Sequence, residues 1–61
     1  MKLLDNKLAL ITGAGGGLGS EIARGFVKEG ARVVLADLDL DRAEAVAAEL
    51  RAQGAQAWAA R

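Results

Sequence analysis

The chain has 61 residues, with eight basic and eight acidic side chains and therefore a formal net charge of +0. This length allows at most one small domain, and a domain of this size buries only about 60% of its unfolded surface. The sequence contains no Cys and no His, which removes disulfides and the commonest metal ligand, so we expect no metal site. Charges of both signs are interspersed, which argues against nucleic acid as a partner.

The amino-terminal segment lacks the patterns of targeting and membrane-spanning segments. Lys2 is the only charge before Asp5, and the apolar runs are short. A signal peptide needs a longer apolar stretch after a basic start, and a membrane helix needs about 20 apolar residues. Neither pattern occurs, so we expect a cytoplasmic protein without a membrane partner.

The first predicted elements are a strand and a helix that are separated by glycines. Residues 7–12 form a short, almost uninterrupted apolar run, which is typical of a strand buried on both faces of a parallel sheet. In residues 18–29 apolar side chains recur at helical spacing. Gly30 is the expected left-handed residue that ends this helix. The predicted apolar stripe, with Phe26 in the core, consists of Leu18, Ile22, Ala23, Phe26 and Val27.

A second strand, a second helix and a third strand follow. Residues 32–36 are rich in β-branched side chains and precede a polar cluster, which indicates a strand. Asp41 and Glu44 have the spacing of a capping box, so the next helix should begin there and end at Gly54. Residues 55–60 are predicted to be a third strand, although alanine has weak strand propensity. The predicted buried stripe of the second helix is Ala43, Val46, Ala47 and Leu50.

This order predicts an α/β fold, half of a doubly wound Rossmann fold with the sequence β-α-β-α-β. Because crossovers between parallel strands are right-handed, both helices should cover one face of a sheet with strand order 3-2-1. The other face would be bare, and contiguous apolar patches of this kind usually mark an interface. We therefore expect self-association or a missing remainder of the fold. The side chains expected to meet water are Leu8, Leu10, Val33 and Leu35, or their alternating neighbours.

The glycine-rich residues 12–19, TGAGGGLG, join the first strand to the first helix. A helix that begins here directs unpaired N–H groups and the positive end of its dipole towards the turn. Glycines let the backbone turn sharply and let a pyrophosphate approach. We expect Gly13 to make the tight turn, Gly17 to allow the close approach, and Gly19 to let helix and strand touch. The predicted cofactor-binding residues here are Thr12, Gly13, Gly15, Gly16, Gly17, Leu18 and Gly19.

Asp37 lies at the carboxyl end of the second strand, and a parallel sheet would place it beside the glycine-rich turn. Its carboxylate could accept hydrogen bonds from the hydroxyls of an adenosine ribose and would repel a 2′-phosphate. Leu38 beside it is uncharged, and the nearest downstream base, Arg42, falls on the second helix. We therefore assign Asp37 and Leu38 to the cofactor site and expect NAD in preference to NADP. Residues 1–61 would form a single partial dinucleotide-binding unit.

Residues 12–19 fit the TGxxxGxG pattern of the short-chain dehydrogenases/reductases, and the resemblance extends over nearly the whole chain. It implies that Gly13, Gly17 and Gly19 line the cofactor pyrophosphate and that Asp37 selects NAD. Members of the family transfer a hydride between the nicotinamide and a carbonyl or alcohol. A departure is Gly16, where many members carry Ser or a base that touches the ribose, so the grip on adenosine should be weaker.

The catalytic part of the resemblance is not matched. Members use a Tyr as acid/base with support from Lys and Ser, whereas this chain has no Tyr. Ser20 has no YxxxK partner, and Asn6 precedes the first strand, so both are expected to be surface polar groups. We therefore assign no catalytic residue and expect the chain alone to be inactive.

Two functions remain open from the sequence. The leading hypothesis is the NAD-binding amino-terminal half of an oxidoreductase that resembles this family, with the carboxyl-terminal half or another copy as partner. The alternative is a stand-alone or engineered minimal half-Rossmann module for nucleotide binding or folding, which would self-associate. A phosphate-loop nucleotidase fails because no Lys follows the glycines, and a methyltransferase that uses S-adenosylmethionine fits the eight-residue pattern less well.

Overall fold

The computed structural model describes residues 3–61, which form three strands and two helices. Their order is β1 (Leu8–Thr12), α1 (Gly17–Lys28), β2 (Arg32–Ala36), α2 (Leu40–Ala52) and β3 (Ala57–Ala60). The strands are all parallel, and β2 lies between β1 and β3. This arrangement confirms the predicted β-α-β-α-β fold and the predicted strand order.

The hydrophobic core lies between the sheet and both helices. The strand register places Ile11, Val33 and Leu35 on the same face of the sheet, because side chains alternate between faces along each strand. Val33, Leu35 and, from α2, Leu50 are the largest fully buried side chains. Most of the rest are alanines, which allow a close approach of helix to sheet. The core residues are Ile11, Ala14, Ala23, Ala31, Val33, Leu35, Ala43, Val46, Ala47, Leu50 and Ala57.

Within residues 3–61 both helices pack on one face of the sheet, and neither of them covers the opposite face. Leu10, Val34 and Trp58 form one row across the three strands, and the exposed fractions of Leu10 and Trp58 are 68% and 47%. A bare apolar face was predicted, and the exposure of Leu10 confirms it. The inclusion of Val33 and Leu35 was wrong, because the register sets them on the face that the helices bury.

Of the stripe predicted for helix α1, Ala23 and Val27 pack against the core, but the three largest side chains do not. Its buried residues are Ser20 and Ala23, whereas Leu18, Ile22 and Phe26 have exposed fractions of 76%, 42% and 38%. The placement of Phe26 in the core was therefore wrong. The small side chains bring the helix close to the sheet, and the large ones form a separate stripe beside this contact.

Ser20 was predicted to be a surface polar group, and this prediction was also wrong. Its hydroxyl is buried at the start of α1, where it donates to the Gly17 carbonyl at 2.9 Å. It also accepts a bond from the Arg24 guanidinium at 3.3 Å. A buried hydroxyl needs such partners, and the helix supplies both within one turn. Asn6, by contrast, is exposed before β1, as predicted.

Helix α2 buries the predicted stripe of Ala43, Val46, Ala47 and Leu50 but begins differently from the prediction. Its N-cap is Asp39, whose carboxylate accepts a hydrogen bond from the Arg42 amide at 3.2 Å. The capping box of Asp41 and Glu44 was wrong, because Glu44 pairs with Arg51 instead. Asp39 takes the cap because its backbone is extended where the chain enters the helix, as an N-cap residue requires.

Glycines end both helices, as the sequence predicted. Gly30 and Gly54 have φ angles of +97° and +91°, a left-handed conformation that costs glycine little. The following amides of Ala31 and Ala55 then bond back to helix carbonyls at 3.0 and 3.1 Å. Within residues 3–61 neither helix is long and apolar enough to span a membrane.

Candidate functional site

A tight turn connects β1 to α1 at the carboxyl edge of the sheet. Gly13 has a φ of +64°, and its carbonyl accepts a hydrogen bond from the Gly16 amide at 3.1 Å. The Ala14 amide donates to the Ala36 carbonyl at 3.1 Å, which fixes the turn to the end of β2. The predicted tight turn at Gly13 is thereby confirmed.

Gly19 lets the first turn of α1 lie directly against this loop. A Cβ atom at Gly19 would lie 2.3 Å from the Gly13 carbonyl oxygen and 2.9 Å from the Ala14 Cα, far inside contact distance. The need for glycine is as predicted, but its neighbour is the turn itself rather than the strand. At Gly17 a Cβ would meet nothing within 4 Å, so the surface there is open.

The amino terminus of α1 carries no side-chain cap. Gly16 is the N-cap residue and supplies no side-chain hydrogen bond, and the first turn contains no acidic residue. The first N–H groups of a helix have no partners within the helix and carry the positive end of its dipole. The open surface at Gly17 therefore adjoins a group of backbone donors that suits an anion.

Asp37 follows β2 and faces the glycine-rich turn. Its Oδ2 atom accepts a hydrogen bond from the Gly15 amide at 2.9 Å, and its Oδ1 atom accepts one from the Asp39 amide at 2.8 Å. The bond from Asp39 is the main cause, and that from Gly15 the next, of a lowered pKa of Asp37, to which the charge of Arg42 adds. The carboxylate is thus held as an anion beside the turn, as its predicted position required.

Arg42 also reaches the turn, which the sequence analysis missed. Its Nη2 atom donates to the Gly15 carbonyl at 2.9 Å, and a Cβ at Gly15 would lie 2.7 Å from the Arg42 Cβ. Only Leu38 and Asp39 separate Asp37 from α2, so the first turn of α2 packs against the glycine-rich turn. A signal was available, because Arg42 lies in the first turn of a helix that begins at the same edge of the sheet.

The other predicted site residues lie around this centre. Thr12 is exposed at the end of β1, Gly16 is half-buried in the turn, and Leu18 is exposed in the first turn of α1. Leu38 stands apart: it is 87% exposed and lines a separate depression with Leu40 and Arg61. The structure therefore brings Gly15 and Asp37 into direct contact but places Leu38 outside the turn.

Comparison with known proteins shows strong similarity over a short length. The chain is 50% identical over 58 residues to 7alpha-hydroxysteroid dehydrogenase of Escherichia coli strain K12, which covers 95% of the chain and 23% of that enzyme. A solved structure of 7 alpha-hydroxysteroid dehydrogenase with NADH and 7-oxo glycochenodeoxycholic acid matches with a TM-score of 0.91 and 50% identity, over 95% of this chain and 23% of the other.

A further solved structure, a short chain dehydrogenase/reductase from Burkholderia phymatum in complex with NAD, matches with a TM-score of 0.91 and 39% identity. It covers all of this chain and 22% of that one. The chain therefore spans about a quarter of the length of these relatives. Residues 7–61 also match the family model described as short chain dehydrogenase. The match covers nearly the whole sequence, and the chain belongs to the short-chain dehydrogenase family.

Proposed function

We propose that the chain is the NAD-binding amino-terminal part of an oxidoreductase that transfers a hydride between NAD(H) and an alcohol or carbonyl. The observation that carries this proposal is the hydrogen bond from the Gly15 amide to the Asp37 carboxylate, beside the uncapped start of α1. It puts an anion-binding helix terminus and an acidic hydrogen-bond acceptor at one edge of the sheet, which is the arrangement that a dinucleotide needs. The NADH and NAD in the similar structures support the same assignment.

In this proposal the pyrophosphate lies over the amino terminus of α1. Gly13 shapes the turn, Gly17 leaves room for the phosphates, and Gly19 keeps the helix close to the turn. The residues around them, Thr12, Gly15, Gly16 and Leu18, complete the backbone surface. When bound, NAD supplies the hydride chemistry, while the residues of this chain bind and orient its adenosine end.

Asp37 is proposed to bind the adenosine ribose. Each of its oxygens already accepts one backbone N–H, and a carboxylate oxygen can accept a second hydrogen bond. Two ribose hydroxyls can therefore donate to the carboxylate without displacing the turn. A 2′-phosphate would meet the negative charge of Asp37, so NAD is proposed to bind more tightly than NADP, with Leu38 at the rim of this subsite.

The chain alone is proposed to bind without catalysis. The family resemblance assigns proton transfer to a Tyr, and the chain contains no Tyr. The exposed row of Leu10, Val34 and Trp58 and the exposed stripe on α1 support a further proposal, that the remaining part of the family fold or a second copy covers these surfaces. The substrate would then be bound outside these 61 residues.

The binding proposal is tested by ¹⁵N-correlation NMR titration with NAD, on a sample whose oligomeric state is fixed by light scattering. We expect shifts at residues 13–19 and at Asp37, with a dissociation constant on the order of 1 mM, because only the pyrophosphate and adenosine-ribose subsites are present. Dispersed spectra without shifts at the turn would overturn the proposal, and a micromolar constant for the monomer would contradict the expected affinity.

A pair of matched variants locates the ribose subsite. Asp37→Ala removes the carboxylate beside the turn, and we expect the dissociation constant of NAD to rise about tenfold, the typical loss for a hydrogen bond to a charged group. Asp41→Ala removes an exposed acid from the first turn of α2, four residues after Asp37, and should leave NAD binding unchanged. Equal effects of the two substitutions would show a general effect of charge and would argue against a ribose contact at Asp37.

A further inference from the structure

Gly15 is held from both sides by side chains that follow β2. Its amide donates to Asp37 Oδ2 at 2.9 Å, and its carbonyl accepts from Arg42 Nη2 at 2.9 Å. A Cβ at this position would lie 2.7 Å from the Arg42 Cβ and 3.0 Å from Asp37 Oδ2, so only glycine lets both side chains come this close. One acid and one base therefore meet the turn at the same residue.

The charge of Arg42 is not neutralised by a direct ion pair. Among residues 3–61 no carboxylate lies within salt-bridge distance of its guanidinium, and the residue is exposed. Its bond to Gly15 uses one of five N–H donors of the guanidinium. The charge is nevertheless near enough to Asp37 to contribute to the lowered pKa of that carboxyl. The ribose end of the site thus carries a positive charge as well as a negative one.

We propose that Arg42 tunes cofactor specificity at the adenosine-ribose end of the site: its positive charge attracts a 2′-phosphate, whereas the negative charge of Asp37 repels one. This inference rests on the proposed function, because a dinucleotide must first bind at the turn. A guanidinium is well suited to phosphate, with several donors in a planar fork and a permanent charge. Arg42 therefore reduces the discrimination against NADP that Asp37 alone would produce, and it would favour NADP once the charge of Asp37 is removed.

A purely positioning role for Arg42 makes a different prediction. If its only effect is to hold the Gly15 carbonyl, loss of the side chain loosens the turn and weakens NAD and NADP by the same factor. If its charge acts on the 2′-position, the loss changes the ratio of the two dissociation constants. The ratio is therefore the quantity to measure, and a change in stability alone does not move it.

The experiment measures the dissociation constants of NAD and NADP by NMR titration for the chain and five variants. We expect Arg42→Ala to raise the ratio of the NADP constant to the NAD constant about fivefold, the size of an exposed charge interaction, with less than a twofold change for NAD. Asp37→Asn removes the negative charge at constant size and should lower the ratio at least about tenfold. In the double variant the ratio should be about fivefold higher than in Asp37→Asn alone, because the charge that attracts the 2′-phosphate is also lost.

The matched control is Arg51→Ala. Arg51 lies on the same helix and also donates to a backbone carbonyl, that of Ala57 at 2.9 Å, but it is nine residues, about 13 Å, along the helix from Arg42. Its loss should leave the ratio unchanged. Arg42→Gln, which can still donate to the Gly15 carbonyl but carries no charge, gives a second test if Arg42→Ala unfolds the chain, and it should raise the ratio to the same extent.

The outcomes separate the two proposals. An unchanged ratio in Arg42→Ala and Arg42→Gln, with NAD still shifting the amides of residues 13–19, would overturn the specificity role and leave the dinucleotide site standing. Equal weakening of both cofactors would also overturn it and would leave Arg42 as a positioning residue. If NAD shifts none of these amides, both proposals are overturned.

Discussion

The two helices have similar apolar spacing in the sequence but very different burial in the structure. Helix α2 places Val46 and Leu50 in the core, whereas helix α1 leaves Leu18, Ile22 and Phe26 at least 38% exposed. Both helices lie on the same face of the sheet. The difference is that α2 packs with the longest side chains of its stripe, whereas α1 packs with Ser20, Ala23 and Val27 and leaves its longest side chains outside the contact.

This contrast separates two kinds of information in an apolar stripe. The repeat predicts that a segment is helical and has one apolar side. It does not say whether the partner of that side is the sheet underneath or another surface. The similar Escherichia coli enzyme is about four times as long as this chain, and the stripe on α1 is one of the surfaces proposed to be covered by further parts of the fold or by a second copy.

The largest expected effect tests the buried helix. Leu50→Ala removes a fully buried side chain, and such truncations cost about 2–5 kcal/mol. A domain of this size gains only about 3–5 kcal/mol from its core. We therefore expect the variant to be largely unfolded even without urea, as measured by circular dichroism in a urea titration. Leu18→Ala on α1 is the matched control, since its side chain is 76% exposed, and it should change stability by no more than about 0.5 kcal/mol. A similar loss from both would contradict the contrast between the helices.

The next effect concerns two of the three glycines within α1, Gly19 and Gly25. Gly19→Ala puts a Cβ against the backbone of the turn, so the turn must shift at a cost of about 1–3 kcal/mol, and NAD should no longer move the amides of the turn. Gly25→Ala meets nothing within 4 Å and should stabilise the helix by about 0.5–1 kcal/mol. Thermal unfolding and NMR titration of both variants check this. Normal NAD binding by Gly19→Ala would show that the close packing is not needed.

A smaller effect is expected at the exposed stripe. Ile22→Gln combined with Phe26→Gln replaces two half-exposed apolar side chains and should weaken self-association about tenfold without unfolding the chain. Sedimentation equilibrium should then give a mass closer to the 6.3 kDa of one chain. Glu21→Gln, on the same helix and also exposed, is the control. Unchanged association of the double variant would place the contact between copies elsewhere, with the uncovered sheet face as the next surface to test.

The smallest effect is a pH dependence of stability at Asp37. Backbone hydrogen bonds lower its pKa in the folded chain, so its contribution is present above the unfolded pKa and is lost as the pH falls through the folded value. The difference in melting temperature between the chain and Asp37→Asn should therefore shrink from about pH 5 downwards. Asp41→Asn controls for the loss of one charge. A difference that grows on acidification would contradict the hydrogen bonds at Gly15 and Asp39.

Local features of the sequence were enough to predict the elements, the strand order and the glycine-rich turn. A strand of residues 8–12 and a helix that follows it differ in period and are punctuated by glycine, so neighbouring residues carry the signal. The position of Asp37 followed from topology, because the carboxyl ends of parallel strands share one edge. These predictions needed no knowledge of which side chains touch.

The wrong predictions have a common cause. They concern burial, long-range contacts and a helix cap, and these depend on how the elements pack and on the backbone conformation rather than on the local sequence pattern. Whether Ser20 or Phe26 is buried depends on how closely α1 approaches the sheet, which its own periodicity does not set. Arg42 meets Gly15 across 27 positions of the sequence, and no local pattern links an arginine on α2 to the glycine-rich turn. Asp39 caps α2 because of its extended backbone, whereas spacing alone favoured Asp41.

The uncovered face of the sheet has an optical consequence. Trp58 is the one tryptophan in the sequence, and it lies in the row with Leu10 and Val34, 47% exposed. The emission of an indole shifts to shorter wavelength when water leaves its surroundings. Because the sequence has no Tyr, Trp58 dominates the intrinsic fluorescence of the chain. If the remainder of the fold or a second copy covers this face, the emission maximum of the unlabelled protein should therefore move to shorter wavelength.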